Sequence, residues 1–194
     1  MLQYLVIVGA MVQLAGVFSY LKGTIRGETK PNRITWFMWS IAPLIASAAG
    51  LASGVTWAVL PVFMSGFGPL IIFIASFVNK NSYWKLEIFD WLCGIFSALA
   101  LILWWITKDP VVAIIFAILS DLSAGLPTLI KSWKFPETEN ATAFLTGIFN
   151  ALTSFAAIKI WVFSSYAFIS YIVLMDSLIA LTILKKKIFK TEKK

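Results

Sequence analysis

Histidine is missing from the chain, and cysteine occurs once, as Cys93. The first absence removes the usual general base and the commonest metal ligand, and the second rules out an internal disulfide. No Ser–His or Cys–His pair and no HExxH motif can be written, so hydrolytic, zinc and haem chemistry lose their usual residues. An aspartyl dyad of Asp121 and Asp176 would lack the glycine-containing signature such enzymes carry. No catalysis, cofactor or metal is expected. Charge is scarce as well: 13% of the 194 residues are charged and 60% are hydrophobic, and the mean hydropathy is +0.87. That leaves too little polar surface to cover a soluble domain. A barrel would need strict alternation, which runs such as Leu70 to Ala75 lack. An all-α membrane protein is the class that remains.

What is present is a series of apolar runs between polar breaks. They predict seven spans, at about 2–21, 34–53, 57–78, 87–106, 110–130, 141–160 and 164–184. The first has no basic n-region and no small-residue cleavage site, so it is expected to be a retained helix. Fourteen of the sixteen Lys and Arg residues follow odd-numbered spans: Lys22, Arg26, Lys30 and Arg33; Lys80 and Lys85; Lys131 and Lys134; and six in the tail from Lys185 to Lys194. Only Lys108 and Lys159 fall on the other side. By the positive-inside rule the N-terminus is outside, the C-terminus cytoplasmic, and the setting a cell membrane. The net charge of +7 is then a topology signal and an anionic-lipid contact rather than a nucleic-acid footprint. The tryptophans follow the same boundaries: Trp57, Trp104, Trp105 and Trp161 at outer ends, Trp36, Trp84, Trp91 and Trp133 at inner ones. Trp39, one turn deeper, is expected to face the interior.

Sliding the chain on itself by 109 positions superposes spans 1 to 3 on spans 5 to 7, with Ala15-Gly16 on Ala124-Gly125, Lys22 on Lys131, and Glu28-Thr29 on Glu137-Thr138. Three spans followed by a single span give both units the same orientation, as parallel repeats. The expected organisation is a three-helix repeat over 1–80, a linker helix over 81–108, a second three-helix repeat over 109–184, and a basic tail over 185–194. Parallel repeats hold their binding site between the halves, near the midplane.

The polar residues inside the spans are the candidates for that site. A carboxylate at the bilayer centre costs about 2.5–3.5 kcal/mol on translocon scales, so Asp121 and Asp176 should face the bundle interior or a watery cavity. Such acids are functional by default; the alternative is a carboxylate held for packing by Gln13, Asn150 or a helix-end amide. Asn150, matched to Ile41 on the repeat superposition, contacts substrate or bridges helices, as does Gln13. Trp39 offers a π-face to a ring or simply packs. Asp90, beside Lys85, reads as an interfacial ion pair. Gly50 and Gly54 form a GxxxG for close packing. Gly66 and Gly68, next to Pro69, are read as a kink. Pro127 bends span 5 and frees a carbonyl.

The segment Gly125-Leu-Pro-Thr-Leu-Ile-Lys-Ser-Trp-Lys, followed by Glu137-Thr138 and an apolar run, resembles the second PQ-loop of the SWEET and PQ-loop transporter superfamily. Phe18-Ser-Tyr-Leu-Lys-Gly-Thr-Ile-Arg-Gly-Glu-Thr has the outline of the first, and Trp36-x-x-Trp39 is similar to the tryptophan pair of related vitamin transporters for nicotinamide riboside. Thr128 stands where the motif has glutamine, and Phe18-Ser19 where it has Pro-Gln. The family carries hinge prolines in spans 1, 2, 5 and 6; here Pro43 and Pro127 fit, whereas Pro61 and Pro69 lie in span 3. The resemblance implies a small secondary transporter or facilitator for a small polar solute, a proton being a candidate second cargo. Its substrate contacts would be Asp176, Asp121, Asn150, Trp39 and Gln13, and its hinges Pro127, Pro43 and Pro69. Self-association into a homo-oligomer is compatible with this plan. A receptor, sorting or scaffold protein on the same fold is the alternative.

Overall fold

The computed structural model describes residues 5–52, 60–107, 109–156, 158 and 160–191. Their regular structure is seven α-helices and two 3-10 turns, with no strand among the described residues. The helices are α1 (Leu5–Arg26), α2 (Arg33–Ala52), α3 (Leu60–Ala75), α4 (Ile88–Ile106), α5 (Pro110–Lys134), α6 (Ala141–Phe155) and α7 (Phe163–Thr191). Leu5–Arg26, Ile88–Ile106, Val111–Lys134 and Ser165–Lys185 are long and apolar enough to cross a membrane, and Val62–Ala75 and Ala141–Phe155 are shorter apolar helices.

Local chemistry sets the ends. Gly27, at φ +80°, closes α1 in a Schellman motif: Glu28 N–H donates to Gly23 C=O at 2.9 Å and Gly27 N–H to Thr24 C=O at 3.1 Å. This carries the helix past the expected end at 21, through Lys22 to Arg26. At the start of α5 the Asp109 carboxylate accepts from Val111 N–H at 2.8 Å and Val112 N–H at 3.0 Å, with Pro110 in the first turn. Pro136 forces the residue before it out of the helix, so α5 stops at Lys134. Asn32 caps α2 through Ile34 and Thr35, and Asn140 caps α6 through Thr142.

These landmarks recur at a spacing one residue shorter than that of the superposition. The two capping asparagines, the last residues of α1 and α5 (Arg26 and Lys134) and the first of α2 and α6 (Arg33 and Ala141) all stand 108 residues apart rather than 109. One residue turns a helix by about 100°, so the shift changes which side chains correspond. Trp36 then matches Phe144, both buried and in ring contact at 6.3 Å. Gln13 matches Asp121, and Asn150 matches Ala42 rather than Ile41. Lys22 and Lys131, paired at 109, have different fates, one exposed and one buried.

Helix α3 lies between α1 and α2, and α7 packs on both α5 and α6; α1 packs closely on α6, α5 more sparsely on α2, and α4 on α5 and α2. The close approaches use glycine. A Cβ on Gly9 would run into Thr153, and one on Gly16 into Thr146, so these two residues let α1 lie against α6. Gly66 meets the backbone of α2 at Leu44 N and Ser40 O, both 3.0 Å from where its Cβ would be, and Gly68 meets Val17 of α1 at 2.8 Å. They sit where α3 is squeezed from both sides. Gly54 lies outside the described residues, as do Trp57, Lys108 and Lys159. The core gathers around Tyr20, Trp36, Ile72, Phe144, Met175 and Ile179.

Candidate functional site

A cavity of about 470 Å³ opens between the helices, walled by residues of all seven. Its wall includes every residue singled out as a substrate contact: Gln13 from α1, Trp39 from α2, Asp121 from α5, Asn150 from α6 and Asp176 from α7. Pro43 and Pro69 also line it. Pro127 does not; it is buried against a smaller recess with Trp84, Asp90 and Lys131.

The two carboxylates are held differently. Tyr171 donates its hydroxyl to Asp121 Oδ2 at 2.8 Å, and Trp39 Nε1–H donates to the Asp121 carbonyl at 3.3 Å. The Asp176 carboxylate has no hydrogen-bond partner among the described residues. It occupies the space that a Cβ on Gly147 would need, so the absence of that one methyl gives the carboxylate its place in the wall. A second glycine, Gly125, leaves room for Trp39, whose Cζ2 lies 3.1 Å from where a Cβ would stand. Asn150 donates to Gln13 Oε1 at 2.7 Å, tying α6 to α1, while its own Oδ1 is fully buried and unpartnered. The expectation that Gln13 or Asn150 holds a carboxylate is therefore replaced: they hold each other, and Tyr171 holds Asp121. Among the described residues no group of three His, Cys, Asp or Glu is placed to bind a metal ion.

Beneath the cavity, toward the basic end of the helices, lies a second polar layer. Tyr20 is wholly buried, with its ring 4.7 Å from that of Trp36. Its hydroxyl donates to Glu139 Oε2 at 2.7 Å, and Glu139 Oε1 lies 2.6 Å from Lys131 Nζ. The two charged side chains are 0% and 1% exposed respectively. Lys131 also donates to the carbonyl of Lys30 and sits 4.8 Å over the ring of Trp84. Lys30 N–H in turn donates to the carbonyl of Thr138 at 2.9 Å. The network joins the α1–α2 connection to the α5–α6 connection.

Several expectations change here. Asp90 is buried and pairs with no lysine: it accepts from Asn32 Nδ2 at 3.0 Å and from Glu87 N–H at 2.7 Å, as a helix cap. Trp36, expected in an interfacial belt, is 4% exposed and packs in the core, whereas Trp91, Trp105, Trp133 and Trp161 are exposed. Thr128, at the glutamine position of the motif, is wholly buried with an unpartnered hydroxyl. Tyr171, Gly147 and the Lys131–Glu139 pair carried no signal of their own in the sequence, because each acquires its role from a residue on another helix.

No protein-family model, curated protein or solved structure matches this chain.

Proposed function

We propose that the protein is a small membrane transporter or facilitator, of the 3+1+3 plan seen in the SWEET and PQ-loop superfamily, that moves a small polar solute by alternating access. The observation that carries this reading is the cavity. It lies among helices of both proposed repeats and brings Gln13, Trp39, Asp121, Asn150 and Asp176 into one wall, with the Asp176 carboxylate unpartnered among the described residues. Ionisable groups within membrane helices face substrate or ion paths and rarely persist unpaired for packing alone.

The helix pairing supports the plan. Within each proposed repeat the third helix contacts both others, α3 between α1 and α2 and α7 on α5 and α6, and α1·α6 has its counterpart in α5·α2. The common 108-residue spacing supports it too. Helix α4, which packs on α5 and α2, is left as the linker. In this reading the N-terminus is outside, the basic end cytoplasmic, and the Tyr20–Glu139–Lys131–Lys30 network closes the cytoplasmic side of the cavity.

The test is flux. Proteoliposomes holding the purified chain should take up a labelled small solute from a mixed panel, and Asp176→Asn should lower that uptake at unchanged protein incorporation. Absence of flux for every solute, with the protein folded, would sink the proposal and leave the receptor or scaffold alternative. Uptake unaffected in Asp176→Asn would remove that residue from the mechanism. A proton as second cargo requires uptake to respond to an imposed pH gradient.

A further inference from the structure

The chemistry of the cavity wall is one-sided. Among its described lining residues are two carboxylates, Asp121 and Asp176, and no lysine or arginine; the chain has no histidine. Hydrogen-bonding capacity is one-sided as well. The wall's serine hydroxyls are committed as donors within the protein: Ser65 donates to the Val62 carbonyl at 2.7 Å, Ser154 to the Asn150 carbonyl at 3.1 Å, and Ser120 to the Ser97 carbonyl at 2.9 Å. The Tyr171 hydroxyl and the Asn150 amide are spent on Asp121 and Gln13. What stays unspent toward the cavity, among the described residues, is acceptor: both oxygens of Asp176 and the second oxygen of Asp121; the unpartnered Oδ1 of Asn150 is fully buried and packs toward Gly9. The unspent donor is the Gln13 amide; the unpartnered indole N–H of Trp36 is fully buried.

A sugar's hydroxyls can donate to these oxygens, but they bring no charge to answer the two carboxylates, and each adds two acceptor lone pairs for its one donor. A protonated amine or quaternary nitrogen brings the complementary charge, and an amine brings up to three donors besides. The rest of the wall suits the remainder of such a molecule. Trp36, Trp39, Trp104, Phe144 and Phe168 present rings to the cavity, and ring faces attract cations as well as apolar groups. The volume of about 470 Å³ is at the scale of a small-molecule site.

We propose, resting on the transport reading for the purpose of the site, that the cavity binds a small organic cation: a protonated amine or quaternary nitrogen carried on an apolar or aromatic body, its charge between Asp176 and Asp121. A cation there also resolves the cost of two like charges sharing one low-dielectric space.

The test compares cations with neutral molecules of the same shape. Choline is set against 3,3-dimethylbutan-1-ol, and benzylamine against benzyl alcohol. Binding to the full purified chain in detergent is read by calorimetry and by melting temperature. The cations should bind at least about tenfold more tightly than their neutral partners. Asp176→Asn should remove that preference and Asp176→Glu restore much of it. Asp90→Asn, a buried acid outside the cavity, should leave it intact and serves as the folding control. Should Asp176→Asn fail to fold, the cation-to-neutral ratio on the native chain still decides.

Equal binding of each pair, or binding of neither, overturns the proposal. Counterflow in proteoliposomes separates it from the transport reading. Cations that bind but do not cross leave the site's chemistry standing and sink transport. A neutral sugar that crosses without competition from either cation leaves transport standing and overturns the cation.

Discussion

Glu139 and Asp176 are both acids drawn into the helical bundle, and the protein provides for them in opposite ways. Glu139 meets a lysine at 2.6 Å and a tyrosine hydroxyl at 2.7 Å, and the lysine is itself satisfied by a carbonyl and an aromatic ring. Asp176 meets a gap left by a glycine and, beyond it, open cavity. The first arrangement is closed, each charge answered by neighbours from other parts of the chain. The second is left open on the side where a ligand would come. Buried acids thus sort by what surrounds them, and only the second kind asks for something from outside.

If that contrast is right, the largest effects on stability belong to the closed network. Glu139→Gln or Lys131→Met alone strands its partner, at a cost of about 3–5 kcal/mol. The double variant should recover more than half of that loss, read as melting temperature in detergent. A double variant as unstable as the worse single one would mean that packing, not charge pairing, holds the layer. Gly16→Ala comes next: its Cβ overlaps Thr146 across the α1–α6 contact, at about 1–3 kcal/mol. Thr146→Ala in the same chain should return part of it; no recovery would place the strain elsewhere. Asn150→Leu, which removes the bond to Gln13, should cost about 1 kcal/mol. Asp176→Asn should cost the least, leaving the melting temperature unchanged or higher because no partner is lost, even as uptake falls. A loss there as large as that of Glu139→Gln would erase the distinction between the two acids.

Much of this was legible from composition and spacing, because hydropathy is a local property. The apolar runs became helices with shifted ends, and the polar residues placed inside them, Asp121, Asp176, Asn150 and Gln13, line one cavity. Partnership was not legible. Lys131 reads as one more member of a basic cluster until Glu139 and Tyr20 arrive from elsewhere in the sequence. Asp90 next to Lys85 suggested an ion pair, yet Asn32, 58 positions away, takes it. The one-residue difference between the superposition and the spacing of the helix ends has the same origin: identities among apolar helices are cheap, whereas capping asparagines and helix ends are fixed by backbone hydrogen bonds. Gly66 and Gly68 were read as a kink and Gly50 and Gly54 as a close-packing motif, since a sequence does not say which neighbour fills the missing Cβ.

The α1–α6 contact constrains how such a molecule could move. At Gly9 and Gly16 the two backbones are so close that threonines fill the space of absent methyls, while the related α2–α5 pair touches more sparsely. A bundle bound firmly along one edge and loosely along the other behaves like a book with a spine. Rocking of the proposed halves would turn about α1 and α6 and spread α2 from α5. Thr35 and Trp39 would then be the clasps: the Thr35 hydroxyl reaches the Ala124 carbonyl at 2.6 Å, and the Trp39 indole reaches the carbonyl of Asp121. Those two hydrogen bonds, the sparse packing around them and the bonds of Lys30 to Lys131 and Thr138 at the basic end would have to yield each time the pages part.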